Sequence, residues 1–129
     1  MKARSIAFLL VLFALLAGGA AALAVDGGCA SLCKSCSETC AKNLEYFKKK
    51  GGKYTEAKTI NTMKDCVKIC DTNHDFKKRQ SANNEDVDKA CGAICKKCAE
   101  VCTDLKDPKL KECIAMCSKC GTACEKQEK

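Results

Sequence analysis

The fourteen cysteines of this chain share one repeated spacing, and that spacing is helical. Cys29, Cys33, Cys36 and Cys40 follow one another at intervals of four, three and four residues. Cys91, Cys95, Cys98 and Cys102 repeat the pattern, as do Cys113, Cys117, Cys120 and Cys124. Cys66 and Cys70 supply a shorter version. Residues three and four apart lie on one face of an α-helix. Each full set is therefore a stripe of thiols about 16 Å long, given the helical rise. Four stripes on four helices can share one core. Thiols fill such a core poorly, but they hold many soft metal ions well.

The rest of the sequence supplies the helix boundaries, and the predicted fold class is all-α: an antiparallel up-down four-helix bundle with a cysteine-lined core. Helix one is expected from about Asp26 to Lys50, stopping at Gly51-Gly52. Helix two runs from near Thr55 to near Lys78, and the polar stretch 79–84 is a turn. Asn83 or Asn84 can cap helix three, with Glu85 and Asp86 suited to its positive end, and this helix ends near Lys106. Asp107-Pro108 starts helix four, with a capping acid followed by proline at the first helical position. Short connections make neighbouring helices antiparallel. No useful length alternates with period two, so no sheet is expected.

Registering the stripes across these turns gives four layers. Cys29, His74, Cys91 and Cys124 form one end, followed by Cys33, Cys70, Cys95 and Cys120. Then come Cys36, Cys66, Cys98 and Cys117, and finally Cys40, Met63, Cys102 and Cys113. The two breaks in the thiol pattern are filled by the other soft-metal ligand types, Met63 and His74. Taken alone, Met63 reads as core filler and His74 as a surface or capping residue. In register with thiols, both become candidate ligands. Leu44, Phe47, Ile60, Leu105 and Leu110 should plug the Met63 end, and Val67, Ile69, Val87, Ile94, Val101 and Ile114 should fill the seams between helices.

Residues 1–24 stand apart from this pattern. Lys2 and Arg4, the apolar run from Ile6 to Leu16 and the small-residue pattern Ala22-Leu23-Ala24 read as a secretory signal peptide cut after Ala24. An uncleaved membrane anchor is the rival, but the run is short for a span and ends in Gly18-Gly19. The domain expected is 25–129, exported to the periplasm or the extracellular space, with no membrane association after cleavage. Loss of Lys2 and Arg4 takes the formal charge from +7 to +5. Lysines and acids are interspersed, and the aromatic residues are not interleaved with Lys48-Lys49-Lys50, so the balance reads as a solvated surface with no nucleic-acid partner.

Three chemistries compete for the thiols. Exported cysteine-rich domains are commonly disulfide scaffolds, and cross-helix pairs in each layer allow up to seven bridges. Cysteines along one regular helix rarely meet disulfide geometry with each other, and disulfide scaffolds seldom gather every cysteine in one continuous core. An iron–sulfur or radical enzyme is suggested by CxxxCxxC, but here that spacing is a by-product of helical period, and cluster cysteines usually sit on loops. No hydroxyl–histidine–carboxylate set is recognisable, so the chain is not read as an enzyme. The third chemistry is multinuclear binding of a soft cation. Zinc needs four ligands per ion and is the serious metal rival. Cu(I) is content with two sulfurs and thiolates can bridge, giving roughly one ion per cysteine, or ~14 per chain. The monocations then neutralise the thiolates in a dry core.

The three CxxxCxxCxxxC stripes, the lone CxxxC of helix two and the signal peptide together resemble the bacterial copper storage proteins. The resemblance covers nearly all of 25–129. It implies a four-helix bundle with a thiolate-bound multinuclear Cu(I) core, methionine or histidine ligands at the bundle ends, matched here by Met63 and His74, and homo-oligomerisation. The partners expected are copper ions, a second copy of the chain and, if the cargo is delivered onward, a copper-dependent recipient protein. A disulfide-stapled secreted helical module and a zinc–thiolate protein remain the alternatives.

Overall fold

The computed structural model describes residues 28–126. The expected signal peptide, and the expected start of helix one at Asp26, lie outside the described residues. Four α-helices are present among the described residues: α1 Cys29–Lys50, α2 Ala57–Lys78, α3 Asn84–Asp104 and α4 Lys111–Lys126. Short 3-10 turns, Gly52–Thr55 and Pro108–Leu110, lead into α2 and α4. No strand occurs among the described residues, and none of their helices is long and apolar enough to cross a membrane.

The helices end where local chemistry dictates. Gly51 takes φ 65°, open to glycine without steric cost, and its N–H bonds the Phe47 carbonyl at 3.0 Å. At the other long turn, Gln80 adopts φ 53° and Ser81 N–H reaches back to the Phe76 carbonyl. Helix α3 begins at Asn84 with Glu85 and Asp86 in its first turn, but neither Asn83 nor Asn84 supplies the expected side-chain cap. It stops at Asp104, two residues short of the expected Lys106, because Lys106 turns into the left-handed region at φ 54°. Asp107 does cap the turn after it, accepting from Lys109 N–H, with Pro108 at the first position.

Each helix packs against its sequence neighbours, and α1 packs against α4 to close the ring. All fourteen cysteines are buried at the centre. One end is sealed by Phe47 and Leu110, both without exposure, with Leu105 buried and Leu44 and Ile60 packed against them. Burying Phe47 stabilises the fold by about 1.5–3 kcal/mol. Val101 is buried and Val67, Ile69, Ile94 and Ile114 flank the core, as seam residues should. Between α3 and α4 the backbones come close at Gly92 and Gly121, where an added Cβ on either would stand 3.2 Å from the other's carbonyl oxygen.

Candidate metal centre

The cysteine periodicity produces a continuous column of sulfur. Apart from the bonded Cys29–Cys124 pair, neighbouring Sγ atoms lie 3.3–4.0 Å apart along it, within helices (Cys36 to Cys40, 4.0 Å) and across the bundle (Cys117 to Cys98, 3.3 Å). Sulfurs also reach the diagonal: Cys33 is 3.3 Å from Cys91, and Cys40 is 3.7 Å from Cys98. Four groups of four converge so that their sulfurs lie within 4.8 Å of one another: Cys33/Cys70/Cys91/Cys120, Cys36/Cys66/Cys70/Cys95, Cys36/Cys40/Cys66/Cys117 and Cys40/Cys98/Cys113/Cys117. A fifth group, Cys29/Cys33/Cys124, stands at one end. Successive groups share ligands: Cys33 joins the fifth to the first, Cys70 the first to the second, and Cys36 with Cys66 the second to the third.

These groups are not the flat layers expected. Cys91 takes the place assigned to Cys95, and Cys95 moves to the Cys36/Cys66 level. Helix α3 is thus offset along the bundle axis. Packed helices incline to one another and a three-four stripe winds about its own helix, so straight layers do not survive assembly.

Met63 stands where the stripe puts it. It has no exposure, and the Cys98 and Cys102 thiols donate to its sulfur at 3.2 and 3.5 Å. Cys102, which belongs to none of the five groups, thereby gains a soft neighbour. Met116 packs on the flank of the core. His74 does not occupy the end layer. It is half-buried, with Nδ1 3.2 Å from the Ala30 carbonyl, and Asn73 holds the inward position. The physical reason is periodicity: Asn73 lies one heptad after Cys66 and stays on its face, whereas His74 rotates away.

Asn73 belongs to a polar cap that the cysteine pattern does not reveal. Its Nδ2 faces Cys29 Sγ at 3.2 Å, Cys124 Sγ at 3.6 Å and the Asp88 carboxylate at 3.1 Å. Asp88 is 2 % exposed and is paired with Lys77 at 3.0 Å. A buried carboxylate needs such a partner. Extending each stripe by a heptad finds both residues, because Asp88 precedes Cys95 by seven. Cys29 and Cys124 are joined as a disulfide and the other twelve cysteines are free. At the plugged end, Tyr46 and Tyr54 both donate to Asp107 Oδ2, at 2.6 and 2.8 Å. That contact pushes the Tyr46 phenol up to about 12 and pulls the Asp107 carboxyl down to about 2.

The free thiols are crowded and dry. The Cys40 thiol is held well above the ordinary range, by Cys113 first and with burial acting in the same direction. Cys70 is raised likewise, Cys120 being the largest cause. Their neighbours Cys36, Cys66, Cys91 and Cys113 are drawn the other way by the thiols around them, so the cluster holds its protons unevenly until a cation displaces them.

A family model described as "Copper storage protein" matches residues 20–129. The chain belongs to the copper storage protein family. Among solved structures, this copper storage protein resembles the Nmul_A1745 protein from Nitrosospira multiformis, with a TM-score of 0.74 and 29 % identity over 78 % of this chain and 92 % of that one. No curated protein matches the chain. Family membership and the buried thiols together support copper binding and storage as its function, and the family is one of storage proteins rather than enzymes.

Proposed function

We propose that the chain stores copper as Cu(I), in a multinuclear core of bridging thiolates that holds roughly one ion per cysteine, or ~14 per chain. In the fully reduced protein the ligands are the fourteen cysteines, twelve of them when Cys29 and Cys124 are bonded, with Met63 serving Cys98 and Cys102 at the plugged end. The observation that carries this reading is the sharing of sulfurs between successive groups. Four-coordinate zinc with unshared ligands could fill no more than two of the four-cysteine groups. Cu(I) takes two sulfurs and shares them, so it uses the whole column. A disulfide-stapled module would need almost no free thiol, which twelve free cysteines oppose.

Copper enters in this proposal at the Asn73–Asp88 end, since Phe47 and Leu110 seal the other. Export through a signal peptide cut after Ala24, to the periplasm or the extracellular space, belongs to the same reading and rests on the basic start and apolar run of 1–24. Homo-oligomerisation, and delivery to a copper-dependent recipient, complete it.

The test is an anaerobic titration of the reduced protein with Cu(I) against a coloured Cu(I) chelator. Uptake near one ion per cysteine, withheld from the chelator, is expected. Uptake of a few ions, or ready surrender to the chelator, would overturn the multinuclear core.

A further inference from the structure

The end of the column opposite Phe47 holds a cysteine pair unlike the other twelve. Cys29 is the first residue of α1, and Cys124 lies in the last turn of α4. Their Cα atoms are 4.9 Å apart, within disulfide range, and the two are bonded while every other cysteine is free. Cys29 retains 2 % exposure where the remaining thirteen cysteines have none. Behind the pair stands Cys33, whose sulfur is 3.8 Å from Cys29 and 3.5 Å from Cys124. Asn73 presses on both sulfurs from the side, and its Oδ1 is buried without a hydrogen-bond partner. An orphaned buried oxygen is costly, and this one stands on the side chain that faces both sulfurs.

We propose that Cys29 and Cys124, as a dithiol, reduce cupric ion at the mouth of the column and pass the cuprous product to Cys33. The product's destination rests on the Cu(I) reading above, whereas the reduction does not. A thiolate core selects copper in its cuprous state, so a cupric ion that reaches the mouth must gain an electron before it enters. Each thiol gives one electron to one cupric ion and loses its proton to water. The two sulfurs then join. Two Cu(II) and two thiols thus become two Cu(I), one S–S bond and two protons. The bonded Cys29–Cys124 pair is the form this step would leave. The reaction is stoichiometric, with one round for each reduced pair. Cys29 alone among the fourteen cysteines keeps any exposure, so the pair is where an arriving cupric ion first meets thiol.

The test mixes fully reduced protein with Cu(II) under anaerobic conditions. Electron paramagnetic resonance follows the cupric signal, and peptide mapping after thiol blocking locates any disulfide. Loss of two cupric ions per chain is expected, with one disulfide, mapped to Cys29–Cys124. The double variant C29S/C124S should reduce Cu(II) roughly tenfold more slowly. A persistent cupric signal, disulfides scattered through the core, or an unslowed variant with intact helical circular dichroism would overturn the proposal. The wild-type map decides the matter even if the variant does not fold. A parallel titration with Cu(I) separates the two readings. Retained Cu(I) with scattered disulfides sinks the reducing pair alone, whereas surrendered Cu(I) with a clean Cys29–Cys124 map sinks the store alone.

Discussion

Cys98 aims its thiol at the Met63 sulfur across 3.2 Å, in a part of the core with no solvent exposure. Methionine is a pliable core filler and also a soft ligand, and one substitution separates the two roles. Met63→Leu conserves volume and should cost less than about 1.5 kcal/mol. It should nonetheless weaken Cu(I) retention beside Cys98 and Cys102, seen as earlier surrender of the last ions to a chelator. An unaltered titration would leave Met63 as packing only.

The Gly92–Gly121 approach sets the spacing of α3 and α4. A Cβ at Gly121 would meet the Gly92 carbonyl oxygen at 3.2 Å and Lys96 Cγ at 3.2 Å. The lysine can move, but the backbone carbonyl yields only with its helix. Gly121→Ala gains about 1 kcal/mol of helix propensity, which offsets part of the contact cost. Gly121→Val has no such offset of comparable size and should lower the melting temperature well below that of the alanine variant. Equal melting temperatures would show that the helices are not held at this distance by the glycines.

The register of α2 makes neighbouring residues unequal. Asn73→Ala removes a hydrogen-bond donor from buried Asp88 and should destabilise the metal-free protein by about 1–3 kcal/mol. His74→Ala, outside the sulfur column, should leave the number of bound Cu(I) ions unchanged. Denaturant midpoints and a chelator titration check the two statements. A loss of ions in His74→Ala would return the imidazole to the ligand set.

The Tyr46–Asp107 contact predicts the pH response of the plugged end. Asp107 falls from an ordinary 3.8 to about 2, so its contribution is complete above pH 3.8 and is lost as pH falls toward 2. Tyr46 rises from 10.0 to about 12, so its contribution is complete below pH 10.0 and is lost as pH climbs toward 12. Tyr46→Phe returns the Asp107 carboxyl toward its ordinary value, so the variant should lose less stability than the wild type between pH 3.8 and 2. Denaturation curves in both windows test this, and superimposable acid limbs would refute it.

Helix number, order and the plug were legible because a three-four cysteine spacing has one structural meaning and Phe47, Leu105 and Leu110 lie just beyond its last turn. Asn73 and Asp88 were hidden because polar side chains ordinarily mark the solvent face, and because His74, a better-known ligand, sits one residue along. The offset of α3 depends on how inclined helices meet, which local spacing does not encode. The meeting of Tyr46 and Tyr54 with Asp107 joins residues more than fifty positions apart, beyond the reach of any local pattern. The Cys29–Cys124 bond was one of many cross-helix pairings that sequence alone allows.

In the proposed store, with entry at the Asn73–Asp88 end, the Phe47–Leu110 seal would make the sulfur column a vessel filled from one side. In such a vessel the order of filling governs the order of emptying. Ions that settle first travel deepest, toward Met63, and leave only after those above them have gone. A partly filled molecule therefore gives up its most recent cargo first, and its oldest ions form a reserve.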